Sequence, residues 1–433
     1  MARKLTTKEE QDVTPAFTAS ANSQWQEDYN IKLLTPMAGG GHNSWIPDEK
    51  NPVRVQAVKG QLRFWWRAMQ SPGLTIQELR EAEDAFWGST SKASPVRLDV
   101  ILNSKAEYIT IPWGGRRGDI LQFAKQELPA YVLFPLQNSF TPPQQCKVTK
   151  NLSFTLKVQC PDAIKDDVQK TIKLWLLFGG LGARTTRGCG SLYCADVMKE
   201  FSSGEEIKTF IKAVSSENGG GVGVANWPNL AGCPLGVEIA PKSNDAKKLW
   251  RNYLENYGEF RQGKNYAREP GEGNRPGRSR WPEADAIRNI TQEYQNHSPR
   301  HKPHWFPRAA YGMPIISRFN RDPQYGDPTD PAGDFQLQPQ GKTRWPSPFI
   351  LKVIKLRDGN LAKIWLLLNH QIPQKIELEC KKEKKRKKKY LLGTTEHPDN
   401  YTGKQILHKC STPAAGTAPY DALIDYLKIP EVT

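Results

Sequence analysis

The chain has 433 residues, more than one ordinary core supports, so two domains are expected. Hydrophobic residues make up 38% and aromatics 10%, enough to fold, while no apolar run reaches the ~18 residues of a membrane span and the start carries no signal-peptide core. A soluble, cytoplasmic protein is therefore expected, and its 61 basic against 45 acidic residues, a formal charge of +16, favour nucleic acid as partner over an anionic membrane surface.

Residues 1–24 are polar and aperiodic and read as a mobile arm, or as a tether ordered only by a partner. DYNIKLLTPM (28–37) alternates into an apolar run and stops at proline, as a strand does, and GGGHNSWIPDEKNP follows as a loop. From Val53 to Met69, Val55, Val58, Leu62, Trp65 and Met69 recur at intervals of three and four, which predicts a helix; a second is expected over 75–87. VRLDVIL (96–102), YVLFPL (131–136) and NLSFTLKVQ (151–159) are strand candidates. A helix is expected over 162–178, ending in the loop LFGGLGARTTRGCGS (177–191), with SLYCADV (191–197) returning as a strand. This order suits an α+β domain with one antiparallel sheet and helices on one face. SSENGGGVGVANWPNLAGCP (215–234) is the expected linker, so 25–214 and 235–433 are the expected domains. The second begins with LGVEIA (235–240) and a helical stretch over 244–257, carries a long basic loop at 261–282, and holds two strands, SPFILKVIKL (347–356) and AKIWLLLNHQI (362–372), in a hairpin across LRDGN.

Lys59, Arg63 and Arg67 stand at i, i+4 and i+8, so they line one side of the first helix as a cationic ridge about 12 Å long. A solvated face is the plain reading. No acidic residue lies between Glu49 and Glu78 to offset the ridge, however, and like charges in a row gain from a polyanion laid along them, so a nucleic-acid backbone is expected there and at Arg54. Trp65 continues the apolar stripe and belongs to the core; Trp66 fits either core or a stacking platform. In the glycine loop, Gly179, Gly180, Gly182, Gly188 and Gly190 flank Arg184 and Arg187, with Thr185 and Thr186 between. Free backbone N–H groups and arginine forks suit phosphate, and a tight connector is the alternative. The loop is neither a Walker loop, because GxxxxGK[ST] is missing, nor a dinucleotide fingerprint, because it follows a helix instead of opening one.

Taken together, VRVQAVKGQLRFWWRAM (53–69) and LFGGLGARTTRGCGSL (177–192) resemble the RAMP superfamily of CRISPR proteins, in which a G-x-R-x-x-R-G-x-G type loop follows the last helix of an RRM-like domain. Gly182, Arg184, Arg187, Gly188 and Gly190 fill those positions. More narrowly, LLTPMAGGG (33–41), VKGQLRFWWR (58–67), AAYGMPIISRF (309–319) and RWPSPFILKV (344–353) look like the first subunit of the Cmr complex, the type III-B effector. The resemblance touches most of 31–357. It implies two ferredoxin-like (RRM-type) domains with antiparallel sheets and long loop insertions. It also implies a non-catalytic, RNA-binding role in antiviral defence: contact with the 3′ region of CRISPR RNA and its target RNA duplex, capping the backbone filament beside other Cmr subunits. No cofactor and no metal are expected.

The expected RNA contacts are Arg54, Lys59, Arg63, Arg67, Arg184, Thr185, Thr186 and Arg187, with Gly182, Gly188 and Gly190 allowing close approach, and His42 beside them. Some RAMP proteins cut CRISPR repeats with a histidine base and no metal. His42, in GGGHNS, stands where such a base would reach a ribose 2′-OH, so a metal-independent CRISPR RNA endonuclease is one alternative, although spacing places no tyrosine or lysine partner. A pure assembly subunit without RNA contact is the other.

Other clusters carry less. His297, His301 and His304 would offer three zinc ligands on a helix, but Pro299 and Pro303 break it, and a basic loop near RNA or a partner is expected instead. The seven cysteines are scattered without a CxxC pair and read as reduced thiols. KKEKKRKKK (381–389) is either a solvated turn between strands or a salt-sensitive attractor of RNA. Arg116, Arg117 and the arginines of 261–280, which alternate with Tyr266 and Trp281, would extend the cationic surface by stacking, unless Glu259, Glu269 and Glu272 neutralise them.

Overall fold

The computed structural model describes residues 24–41, 46–113, 117–133, 146–216, 227–241, 243–263, 266–271, 276–301, 305–324, 326–370, 373, 375–382, 386–394 and 419–432. The arm 1–24, apart from its last residue, therefore lies outside the described residues, as do His42 and residues 217–226 of the expected linker.

Strand β1 (Gln24–Leu33) alternates exposed Gln26, Asp28 and Asn30 with buried Tyr29 and Ile31, the period of a half-buried strand. Helix α1 (Val55–Gln70) buries Val58, Leu62, Trp65, Trp66 and Met69, which settles Trp66 as core. Helix α2 (Ile76–Trp87) opens with a capping box in which Thr75 and Glu78 satisfy each other's backbone N–H. Then follow β2 (Arg97–Leu102), β3 (Ser153–Pro161), α3 (Lys165–Phe178) and β4 (Leu192–Cys194). The sheet order is β2-β3-β1-β4, and every pairing is antiparallel, which is the ferredoxin-like arrangement of a βαββαβ unit. Helices α1 and α3 pack side by side on its inner face, with Trp65 and Phe178 5.8 Å apart.

The expected strand YVLFPL begins differently: Ala130–Leu133 is a single helical turn, and 134–136 lie outside the described residues. Its aromatic and β-branched content mimics a strand, but Tyr131 packs edge-on against Tyr257 at 5.0 Å and Val132 and Leu133 are buried, so tertiary contacts decide the conformation.

After helix α4 (Gly204–Ser216) come β5 (Leu235–Ala240) and α5 (Ala246–Gln262), then an insertion containing α6 (Glu283–Thr291), β6 (Ile315–Arg318) and β7 (Asp334–Pro339). The hairpin β8 (Phe349–Lys355) and β9 (Leu361–Leu367) follows, then β10 (Lys375–Lys382), β11 (Arg386–Thr394) and α7 (Pro419–Leu427). The second sheet runs β8-β9-β5, and after α7 the chain returns to β5 through a lone Gly236–Glu431 bridge and a Val432 N–H to Leu235 carbonyl bond of 2.8 Å. This is the same unit as the first, with its last strand reduced to one bridge. The two insertions meet in a third sheet, β6-β7-β10-β11.

Strand β8 explains how the halves join. Phe349, Leu351 and Val353 enter a core with Trp250 and Tyr253 of α5, while Ile350 and Ile354 enter the core of the first unit. A strand buried on both faces reads as a continuous apolar run, which is why SPFILKVIKL shows no alternation. Asn229 and Leu230, within the expected linker, are buried, and the Leu230 N–H bonds the Ala68 carbonyl at the end of α1. Among the described residues no helix is long and apolar enough to cross a membrane.

Candidate nucleic-acid interface

Helix α1 divides its predicted ridge in two. Arg63 donates to Glu83 of α2 at 2.5 Å, and Arg67 donates to the same carboxylate while its guanidinium lies 4.7 Å from the Trp227 ring. The charge missing from α1 itself is thus supplied by α2, whose Glu83 is 7% exposed. A sequence window along α1 does not see this partner, because α2 folds back on it. Arg54 and Lys59, at the other end of the helix, differ. Arg54 is exposed, with the Gly41 carbonyl oxygen 3.5 Å from its guanidinium, and Lys59 makes no ion pair among the described residues. Burial, and after it the Arg63 charge, pulls the Lys59 ammonium below the ordinary lysine value.

The glycine loop is fastened to the segment that follows β1. The Ala183 N–H bonds the Ala38 carbonyl at 2.7 Å, the Gly190 N–H bonds the Pro36 carbonyl at 2.9 Å, and the Thr35 hydroxyl bonds the Gly188 carbonyl at 2.5 Å. Gly182 has φ +78°, and a Cβ there would run into the Ala38 carbonyl oxygen; at Gly188, φ +69°, a Cβ would lie 2.9 Å from the Trp250 indole nitrogen. These glycines permit close approach of other parts of this chain, where the sequence suggested approach of RNA.

Arg187 is the clearest departure from its expected posture. It is 4% exposed and donates to the Phe349 carbonyl at 2.5 Å, the Ser347 hydroxyl at 2.9 Å and the Tyr257 hydroxyl at 3.0 Å. Its own carbonyl accepts from Trp250 at 2.8 Å. In this conformation the guanidinium fastens the two halves together and is not presented to a strand of RNA. Arg184, half-buried with φ +64°, reaches the Tyr131 carbonyl at 3.4 Å and lies 5.5 Å from that ring. Burial raises the Tyr131 phenol, but the guanidiniums of Arg261, Arg187 and Arg184 outweigh it and hold its pKa below the ordinary value. Thr185 and Thr186 are half-buried, and no acceptor for their N–H groups is found among the described residues.

What the structure assembles is therefore smaller than the predicted cradle. Arg54 meets the Met37–Gly41 segment at Gly41, and the Gly182–Arg184 turn meets it at Ala38. These two flank one segment, with Lys59 further along α1 and Thr185 and Thr186 next along the loop from Arg184; Arg63, Arg67 and Arg187 have intramolecular partners.

The arginine loop of the second half also differs from its reading. Tyr266 is 6% and Trp281 1% exposed, and both pack on Phe260 at 5.2 and 5.3 Å. They are core, and the buried Arg261 lies over the Tyr311 ring at 4.8 Å. The outer face of the first sheet pairs Gln26 with Gln159, Asp28 with Lys157 and Asn30 with Thr155. Its ring is Tyr193, between the Lys32 and Lys355 ammoniums at 5.2 and 5.5 Å. The lysine tract forms the facing ends of β10 and β11, with 383–385 outside the described residues. Sequence reasoning missed Lys352, which is fully buried on β8 and donates to the Leu176 and Gly179 carbonyls at 2.6 and 2.7 Å, at the C-terminal end of α3. Burial pulls its pKa down to about 7. A lysine breaking the apolar run of β8 was the available signal.

A βαββαβ unit whose last helix runs into this loop invites comparison with known families. Residues 30–193 match the RAMP superfamily. The match runs from β1 through the glycine loop to β4. Across both halves the chain is similar to the apo crystal structure of Cmr1 from Pyrococcus furiosus, with a TM-score of 0.50 and 16% identity over 79% of this chain and 88% of that one. It is also similar to a chain of the type III-B Cmr-beta complex bound to cognate target RNA, with a TM-score of 0.43 and 14% identity over 79% of this chain and 94% of that one. No curated protein matches. The fold is thus that of RAMP proteins such as Cmr1, mixed α and β with several antiparallel sheets.

Proposed function

We propose that this chain is a non-catalytic, RNA-binding subunit of a CRISPR type III-B effector complex, built from two RAMP units, 25–214 and 235–433. It contacts the 3′ region of CRISPR RNA and its target duplex and caps the backbone filament beside other Cmr subunits in the cytoplasm. The observation that carries the reading is a pair of cations on α1, exposed Arg54 and half-buried Lys59, with Arg54 meeting at Gly41 the segment whose Ala38 pairs with Ala183 of the glycine loop in a RAMP match. Cations with no carboxylate among the described residues, beside half-exposed loop backbone, suit ribose-phosphate. Recognition of backbone and shape also fits a guide whose sequence must vary.

The test is binding of single-stranded RNA by the full chain, followed by fluorescence anisotropy across a salt series in EDTA. Arg54 caps the N-terminus of α1, where a glutamate complements the helix dipole, so Arg54→Glu preserves folding. Arg54→Glu with Lys59→Glu is expected to weaken binding at least about tenfold and to flatten the salt dependence by one or two phosphate contacts, about 0.7 each in log–log slope. Wild-type affinity in that variant sinks the site, and RNA cut in EDTA but spared by His42→Ala replaces the reading with a nuclease.

A further inference from the structure

The insertion between α5 and β8 holds a cluster that the RNA-binding reading leaves unused. His297, Asp327 and Asp330 bring one nitrogen and two oxygens within 4.8 Å of one another. The His297 Nδ1 lies 3.2 Å from Asp327 Oδ2 and 3.4 Å from Asp330 Oδ2. Around zinc, bonds of about 2.0–2.1 Å at tetrahedral angles place ligand atoms about 3.3 Å apart, so both separations match an edge of that tetrahedron.

Asp327 supplies a second, independent sign. It is 4% exposed, and its Oδ1 is fully used by the Thr329 N–H at 2.9 Å, the Thr329 hydroxyl at 2.6 Å and the Asn296 amide at 3.1 Å. Its Oδ2 is buried and makes no hydrogen bond, although it faces His297. A buried carboxylate oxygen left in that state is costly unless a cation takes it. Arg288 fixes Asp330 through both oxygens, at 2.7 and 2.8 Å, which orients it as a ligand. Charge leaves room as well. Asp285 and Asp330 face the guanidiniums of Arg278 and Arg288, and Asp327 adds a third carboxylate whose ion-pair partner among the described residues is His297. His297, 40% exposed at its side chain, gives access from solvent.

We propose that His297, Asp327 and Asp330 form a divalent-cation site suited to zinc, which fastens the loop after α6 to the loop before β7. Those loops already touch: the Gln295 N–H bonds the Thr329 hydroxyl at 3.1 Å, and the Ala332 N–H bonds Glu293 at 3.0 Å. The role is structural, and the ligand set is not the helical His297, His301 and His304 trio that the sequence presents. His301 is taken by Asp285 at 2.7 Å.

The experiment uses the full chain without an affinity tag, stripped with EDTA and titrated with zinc chloride by calorimetry, then with cobalt(II) by absorption. One equivalent of zinc is expected, with tetrahedral cobalt bands that lack thiolate charge-transfer absorption. His297→Gln and Asp327→Asn should each bind at least about 10-fold more weakly. Because His297 is half-exposed, His297→Gln keeps the fold, which circular dichroism checks. Failure of the stripped wild type to take up zinc, undiminished binding in both variants, or cobalt spectra of thiolate type from the seven cysteines overturns the proposal.

Discussion

Arg187 spends its guanidinium inside the protein, on Phe349, Ser347 and Tyr257. Replacing it with methionine keeps bulk but strands those groups, and buried acceptors left unpaired cost about 2–4 kcal/mol in all. Arg187→Met should lower the urea midpoint accordingly, whereas Arg54→Glu should leave it unchanged. Lys352 adds a pH signature. Its folded pKa of about 7 lies below the ordinary 10.5, so the unfolded chain holds more protons between those values. Stability from this group therefore rises with pH across that window, because charging a buried amine is the penalty and neutral amine still donates to both carbonyls. The melting temperature of wild type relative to Lys352→Met should climb from pH 7 to pH 9; a constant difference would show that Lys352 is not desolvated.

Among the elements, α1 and the glycine loop show what a local pattern can and cannot reveal. The helical period of Val58, Leu62, Trp65 and Met69 is a property of neighbours in sequence, and it placed α1 to within two residues. The fate of Arg63 and Arg67 depends on Glu83, which reaches them only once α2 turns back through its Thr75 cap. Glu83→Gln should cost about 1–2 kcal/mol and, by freeing two guanidiniums, steepen the salt dependence of RNA binding; an unchanged slope would mean that these arginines never face RNA. The loop's glycines were likewise legible as a demand for positive φ and close approach, but not what would approach. Ala38 and Trp250 do so here. Gly182→Ala should therefore weaken RNA binding and stability together, by about 2 kcal/mol in stability, read by melting and anisotropy on the same sample.

At the scale of the whole molecule, the first unit was readable because its strands alternate over one buried face. The second was harder, since β8 is buried on both sides and the insertions between α5 and β8 and after β9 interrupt the βαββαβ order. Its closing strand, a single bridge at Glu431, carries no periodic signal at all. Interlocked cores, pinned by Arg187 and Lys352, make the halves a single platform on which the exposed flank of α1 and the glycine turn keep a fixed relation. The most direct measurement is an ultraviolet crosslinking map of the chain within an assembled particle carrying CRISPR RNA. Crosslinks on the peptides around Arg54–Gly60 and Gly182–Thr186 are expected. Crosslinks confined to the outer face of the first sheet, around Asn30, Thr155 and Tyr193, would contradict the account.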